Sequence, residues 1–214
     1  SGAISGVTTL TLSDVGGTAT FSNNVSTTDL TVGNTVANIR FNGGTNTFTN
    51  VVTFQNDGTL IFGNSTGDSF TFNGGLTTSS VAGTVTLNTS ISSSNDAMVF
   101  GAVTFGHDIN ITIDTNATDG TGDITIGAIT GDNSALTLST GDNIAGADIT
   151  ASGAISGLGN LTLADVGGTA TFSNNVAAAA LSAANTVANI TFTGGTNTFS
   201  AASTLANDGT LTFG

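Results

Sequence analysis

Residues 52–72 read VTFQNDGTLIFGNSTGDSFTF, and three short runs decide how the stretch folds: Val52-Thr-Phe54, Leu60-Ile-Phe62 and Phe70-Thr-Phe72. Side chains of an extended chain alternate between two sides, so the outer residues of each run share one side and the middle residue faces the other. Gly, Asn, Asp and Ser fill the gaps between runs, which marks turns. Each run therefore reads as a very short strand with two apolar residues to bury.

The same pattern extends in both directions. Upstream lie Leu10-Thr-Leu12, Ala19-Thr-Phe21, Leu30-Thr-Val32 and Ile39-Arg-Phe41. Downstream lie Val85-Thr-Leu87, Met98-Val-Phe100, Val103-Thr-Phe105, Ile109-Asn-Ile111, Ile124-Thr-Ile126 and Leu136-Thr-Leu138. A fainter echo recurs near 30 residues, with Leu30-Thr-Val-Gly-Asn34 returning as Leu60-Ile-Phe-Gly-Asn64. Short strands at near-regular spacing predict an all-β fold, a parallel β-solenoid (β-helix) built from short stacked strands. At ~20–30 residues per coil and ~4.8 Å per coil, the chain makes roughly 7–11 coils and a rod of about 35–50 Å. An array of β-sandwiches is the rival reading. It fits less well, because each run supplies only two core residues and the rhythm persists almost unbroken.

A longer period encloses the short one. Residues 1–63 recur without a gap as 152–214, with 43 of 63 positions identical. DVGGTATFSNNV (14–25) returns at 165–176, and GGTNTF (43–48) at 194–199. This organisation reads as one long unit over 1–151 and the start of a second copy over 152–214, in one continuous solenoid without a linker. Apolar positions mostly stay apolar between copies, while Ser26-Thr-Thr-Asp29 becomes Ala177-Ala-Ala-Ala180. The pattern is a retained core beneath a drifting surface. The chain starts inside the repeat without Met and stops in a strand, which reads as a segment of a longer tandem-repeat protein.

Composition narrows the function. Gly (30), Thr (42), Asn (23) and Ser (21) form more than half of the 214 residues, and Cys, Pro, Trp, Tyr, Glu and Lys are absent. Polar helix formers are nearly missing, whereas β-branched residues and Phe are plentiful. A net charge of −13 with a single Arg excludes ordinary nucleic-acid binding, which needs cations to displace phosphate counterions. Apolar runs fall far short of the ~18 residues of a spanning helix, so membrane insertion is not expected. Without Cys there are no disulfides and no thiol chemistry.

GDITIGAITG (122–131), ALTLSTGDNIAGADITASGAISGLGNLTL (135–163) and NDGTLIFG (56–63) resemble the β-helical repeats of filamentous-haemagglutinin-type proteins and autotransporter passengers, both bacterial surface adhesins. The resemblance covers most of the chain and rests on repeat style. It implies a right-handed β-helix, export through the envelope, and an extracellular place on the bacterial cell surface. The absence of Lys, Tyr and Glu departs from that pattern. The composition also resembles crystalline surface-layer proteins.

Catalytic chemistry has little to work with. The only His, His107, lies in a turn, and the only Arg, Arg40, alternates with Ile39 and Phe41 and is expected to face outward. No catalytic or cofactor-binding residue stands out, and the reading is not an enzyme. Calcium is the chemical candidate, because Ca²⁺ takes six to eight hard oxygens. Asp114, Asn116, Asp119 and Asp123 concentrate such oxygens within ten residues, without the EF-hand's terminal Glu. Gly131-Asp-Asn133 and Gly141-Asp-Asn143 form a second acidic pair. The alternative for all of them is turn formation. No cofactor is required, with Ca²⁺ the one that fits. The expected role is a stiff acidic scaffold, a segment of a long surface adhesin or filament. Its partners would be further repeats or subunits through self-association, and a host or carbohydrate surface. A calcium-dependent surface-layer or matrix protein is the first alternative, and a carbohydrate-active β-helix enzyme the second.

Overall fold

The alternating runs form strands as their periodicity requires. In the computed structural model, which describes residues 2–141 and 145–214, 25 strands pair into parallel ladders and no helix occurs among the described residues. Three strands complete most coils, one on each of three faces.

The first face carries the start of β1 (Ile4–Leu12), the start of β3 (Val25–Val32), β5 (Thr45–Phe48), β8 (Ser69–Phe72), β11 (Ser90–Ser93), β14 (Asn110–Asp114) and β17 (Ala135–Ser139). It continues through the ends of β19 (Ile155–Ala164) and β21 (Val176–Ala183) to β24 (Thr204–Leu205). The second face begins with the ends of β1 and β3. It runs on through β6 (Val52–Thr53), β9 (Leu76–Thr77), β12 (Met98–Phe100), β15 (Ile124–Ile126), β18 (Ile149–Ala151), β20 (Thr169–Phe172), β22 (Asn189–Phe192) and β25 (Leu211–Phe213). The third face holds β2 (Thr18–Phe21), β4 (Asn38–Phe41), β7 (Leu60–Phe62), β10 (Val85–Leu87), β13 (Val103–Phe105), β16 (Ile129–Thr130), the starts of β19 and β21, and β23 (Asn197–Phe199).

Four strands thus turn a corner and serve two faces, giving 29 face segments, or about 9⅔ coils and ~46 Å of rod at ~4.8 Å each. Coil length varies: 18 residues separate the paired Val85 and Val103, and 26 separate Val103 and Ile129. The corners absorb the difference, so the inward rows stay in register.

Those rows form one core along the rod. Phe41 stacks on Phe21 at 4.9 Å and on Phe62 at 5.9 Å, and Phe48 stacks on Phe72 at 4.9 Å. Phe62 also meets Phe54 and Phe70 edge-on at 5.5 and 5.2 Å. Such pairs add to burial itself.

Polar side chains do not all face out, as the alternation suggested. Asn46 is fully buried: its Oδ1 accepts the Val25 N–H at 3.0 Å and its amide donates to the Gly43 carbonyl at 2.7 Å. Asn197 repeats both contacts in the second copy, at 3.1 Å each. Ser93, Thr115 and Thr140 form an inner row, each hydroxyl donating to a carbonyl one coil on: Thr115, Thr140 and Asp165 respectively, at 3.3, 3.3 and 3.0 Å. The two Asn side chains satisfy a backbone N–H at the corner, whereas the hydroxyl row adds a second hydrogen bond to carbonyls that already accept the Asn95, Ala117 and Thr140 N–H groups.

Asn and Asp at the corners also behave differently from a side-chain amide ladder. Their Oδ1 atoms accept backbone N–H groups of the next coil. Asn24 accepts from Thr45 at 3.1 Å and Asn38 from Thr59 at 2.9 Å. In the second copy Asn175 accepts from Thr196 and Asn189 from Thr210, both at 3.0 Å.

β19 has the fold of β1, including a register break after Ile4 and Ile155, where Gly6 and Gly157 take φ of +68° and +67°. That left-handed conformation favours Gly. The two strands nevertheless begin on different faces. Twenty segments separate them, one short of seven full coils, so each element of the second copy lies one face behind its counterpart.

Candidate functional site

The four calcium candidates are placed by β14 and the corner that follows it. Asp114 ends β14 on the first face, Asn116 and Asp119 lie in the corner, and Asp123 precedes β15 on the second face. Each already has protein partners. Asp114 Oδ1 accepts the Asn116 N–H at 2.9 Å, and the Asn116 amide donates to the Ser93 carbonyl at 2.9 Å. Asp119 Oδ1 accepts the Thr121 N–H and hydroxyl at 3.0 and 2.6 Å. The Thr121 hydroxyl is the main reason that the Asp119 carboxyl is held below its ordinary value, with Asn95 next. Asp123 Oδ1 accepts the Asp148 N–H at 2.8 Å, and Asp148 in turn accepts from Thr169 at 2.6 Å.

Asp123 and Asp148 therefore act as corner clamps, in the same way as Asn38 and Asn189. Among the described residues no group of three or more His, Asp or Glu side chains gathers as a metal site. Of the second acidic pair, Asp132 and Asn133 are described, while Asp142 and Asn143 lie outside the described residues.

His107 sits in the exposed turn after β13. Its Nε2 lies 3.0 Å from Asp108 and its Nδ1 3.3 Å from Asp132 on the next coil. The hydrogen bond with Asp132 is the largest influence raising its pKa, followed by the charge of Asp108. Asn133 bridges the same coils by donating its amide to Asp108. Arg40 faces outward, and its Nε donates to Asn42 Oδ1 at 2.8 Å. Arg40 and His107 rim one shallow depression of about 330 Å³ with Asn64 and Asn88.

Two other depressions are counterparts of each other, and motif reading gave no hint of them. The first is lined by Gly6, Val7, Thr8, Ser26, Thr27, Thr28 and Thr49, with a volume of about 310 Å³. The second, about 520 Å³, is lined by Gly157, Leu158, Ala177, Ala178, Ala179, Thr198 and Ser200, with Asp132 and Asn133 added from the coil below. Both lie at the corner made by the register break. The location persists across 151 residues, but the volume differs and the hydroxyls of Ser26, Thr27 and Thr28 have given way to the methyls of Ala177, Ala178 and Ala179, while Thr49 keeps a hydroxyl as Ser200.

On the second face, outward Thr side chains rise in register at Thr53, Thr77, Thr125, Thr150, Thr171, Thr191 and Thr212, with Val99 the exception. No protein-family model, curated protein or solved structure matches the chain. The fold class the geometry defines is a parallel β-solenoid of about 10 turns.

Proposed function

We propose that this chain is a scaffold segment of a long extracellular rod on a bacterial surface, with a mechanical role and no catalysis of its own. One observation carries the reading: what two copies retain is what builds coils. Inward Leu, Ile and Phe persist, except that Phe54 becomes Leu205, as do the inward Asn46 and Asn197 and the clamps Asn24/Asn175 and Asn38/Asn189. The lining of the outward corner groove does not. The second copy is also turned by one face, so no outward feature keeps its direction. Selection on a single ligand site would preserve the groove's chemistry; selection on the scaffold preserves the core.

The acidic surface supports solubility and keeps neighbouring rods apart. The resemblance to surface adhesins supports the extracellular placement. Two measurements test the reading. Small-angle scattering should give a rod with a cross-section of one solenoid. Antibodies against the chain should label intact cells that make it. A compact particle, or labelling only after lysis, would refute it.

A further inference from the structure

The turn of one face carries every outward feature of the repeat to a new side. A row that continues along one side must therefore draw on different repeat positions, and the outward Thr row of the second face does so. Below Thr53 it includes Thr11 and Thr31, paired on the ends of β1 and β3. Its members Thr171, Thr191 and Thr212 correspond to Thr20, Arg40 and Ile61, which lie on the third face of the first copy. Conversely, Thr11, Thr31 and Thr53 correspond to Thr162, Ser182 and Thr204, which lie on the first face of the second copy. Three of these six pairs differ, and in each the Thr is the residue on the second face. A faithful copy would have brought Arg and Ile into the row. Core packing does not explain the change, because these side chains point away from the core. Strand propensity does not explain it either, since Ile suits a strand as well as Thr does. Val99, the one departure, keeps the branched shape of Thr.

Hydroxyl chemistry also sets this face apart. Among the described residues none of its nine Thr hydroxyls has a protein partner. On the other faces Thr71 meets Ser92 at 3.4 Å and Thr86 meets Thr104 at 3.1 Å. Charge stays out of the row. Asp29, Asp123 and Asp148 each precede a member by two residues, and each spends an oxygen on the next coil.

Such a row presents water with a hydroxyl and a methyl, repeated at ~4.8 Å per coil. Tetrahedral water with O···O of ~2.75 Å has second neighbours about 4.5 Å apart. The two spacings differ by about 0.3 Å, so five coils in succession drift by only about 1.2 Å. Thr125, Thr150, Thr171, Thr191 and Thr212 are such a succession. We propose that the second face binds ice, with the Thr row holding a strip of water at a spacing that a crystal surface shares. Liquid water bonds to any exposed hydroxyl, whereas a lattice rewards equal spacing. Corners of unequal length preserve that spacing here. A second copy of the chain would match it too, but −13 on each copy opposes lateral pairing.

The test freezes a dilute solution of the chain slowly from one side and measures protein in the ice and in the liquid. The gap between the melting and growth temperatures of a single ice crystal is the second readout. Wild type is expected to enter the ice and to open a gap. Thr150→Tyr and Thr171→Tyr each raise a ring out of the row and should lose both effects. Thr137→Tyr, the same change on the first face, should keep both. Circular dichroism and melting curves identify a variant that fails to fold, and the two row variants guard against losing one that way. Exclusion of wild type from the ice would overturn the proposal. So would equal losses in the row variants and in Thr137→Tyr, or dimers joined through the second face that leave ice unbound. The scaffold reading would survive each of these results.

Discussion

Phe62 and Phe213 occupy the same position in two copies of one repeat and differ chiefly in what lies above them. Phe62 is fully buried, stacked on Phe41 and packed edge-on against Phe54, Phe70 and Phe72 at 5.5, 5.2 and 5.8 Å. Phe213 is 61% exposed and stacks on Phe192 at 5.3 Å. Phe→Ala in a core costs ~3–5 kcal/mol, and four aromatic neighbours place Phe62→Ala near the top of that range, about 5 kcal/mol. Phe213 buries less than half of its side chain, so Phe213→Ala should cost only about 1 kcal/mol on the same area scale. The assay is urea denaturation at low salt and low protein concentration, which keeps chains apart. Amide exchange would separate end fraying from global opening, because coils of a solenoid melt partly independently. Equal losses for the two variants would refute the argument that stability comes from coverage by the next coil.

The corners and the charges set four further outcomes. Asn38→Ala removes the acceptor for the Thr59 N–H and hydroxyl and should cost ~1–2 kcal/mol, with faster exchange at Thr59; Asn38→Asp keeps an acceptor and should restore most of it. His107 binds its proton more tightly when folded, so its ion pairs stabilise the chain below the ordinary His pKa and that stabilisation is lost as pH rises through the raised value. Asp119 has the opposite sign: its contribution is present above the ordinary carboxylate pKa and is lost as pH falls through the depressed one. Melting curves of wild type, His107→Ala and Asp119→Asn against pH read both effects, and a His107→Ala chain equally destabilised at pH 5 and pH 9 would contradict the first. EDTA should leave the melting temperature unchanged, because the carboxylates of Asp114, Asp119 and Asp123 already accept protein N–H groups; a drop of several degrees would show a bound cation instead.

The strands were legible because alternation is a local property: Leu60-Ile-Phe62 announces its two inward residues without reference to anything distant. The coil length was not legible, since it is set by which strands align, and corners of very different length return the chain to the same row. The fused strands were also hidden. Ile4 to Leu12 contains no turn-forming Asn, Asp or Pro, yet the left-handed Gly6 carries the chain round a corner. Asn46 lies two residues before Phe48 and so on the inward side, a parity the sequence does contain. What it lacks is the buried backbone donor at Val25 that makes an inward amide favourable. For the acidic cluster, residue types were readable but convergence was not. Whether four oxygens meet depends on the path of the corner, and here Asp114, Asn116, Asp119 and Asp123 run from one face round the corner to the next, with one oxygen of each Asp accepting an N–H of the chain and the Asn116 amide donating to a carbonyl.

A repeat that falls one strand short of seven turns has a geometric effect on any tandem array made from it. An observer stationed on one side would meet a given landmark only at every third copy, after about 453 residues and ~96 Å of ascent at ~4.8 Å per turn. Such a column has no front and no back: a binding patch acquired by one unit would be offered to all compass directions by its successors, like treads on a spiral stair.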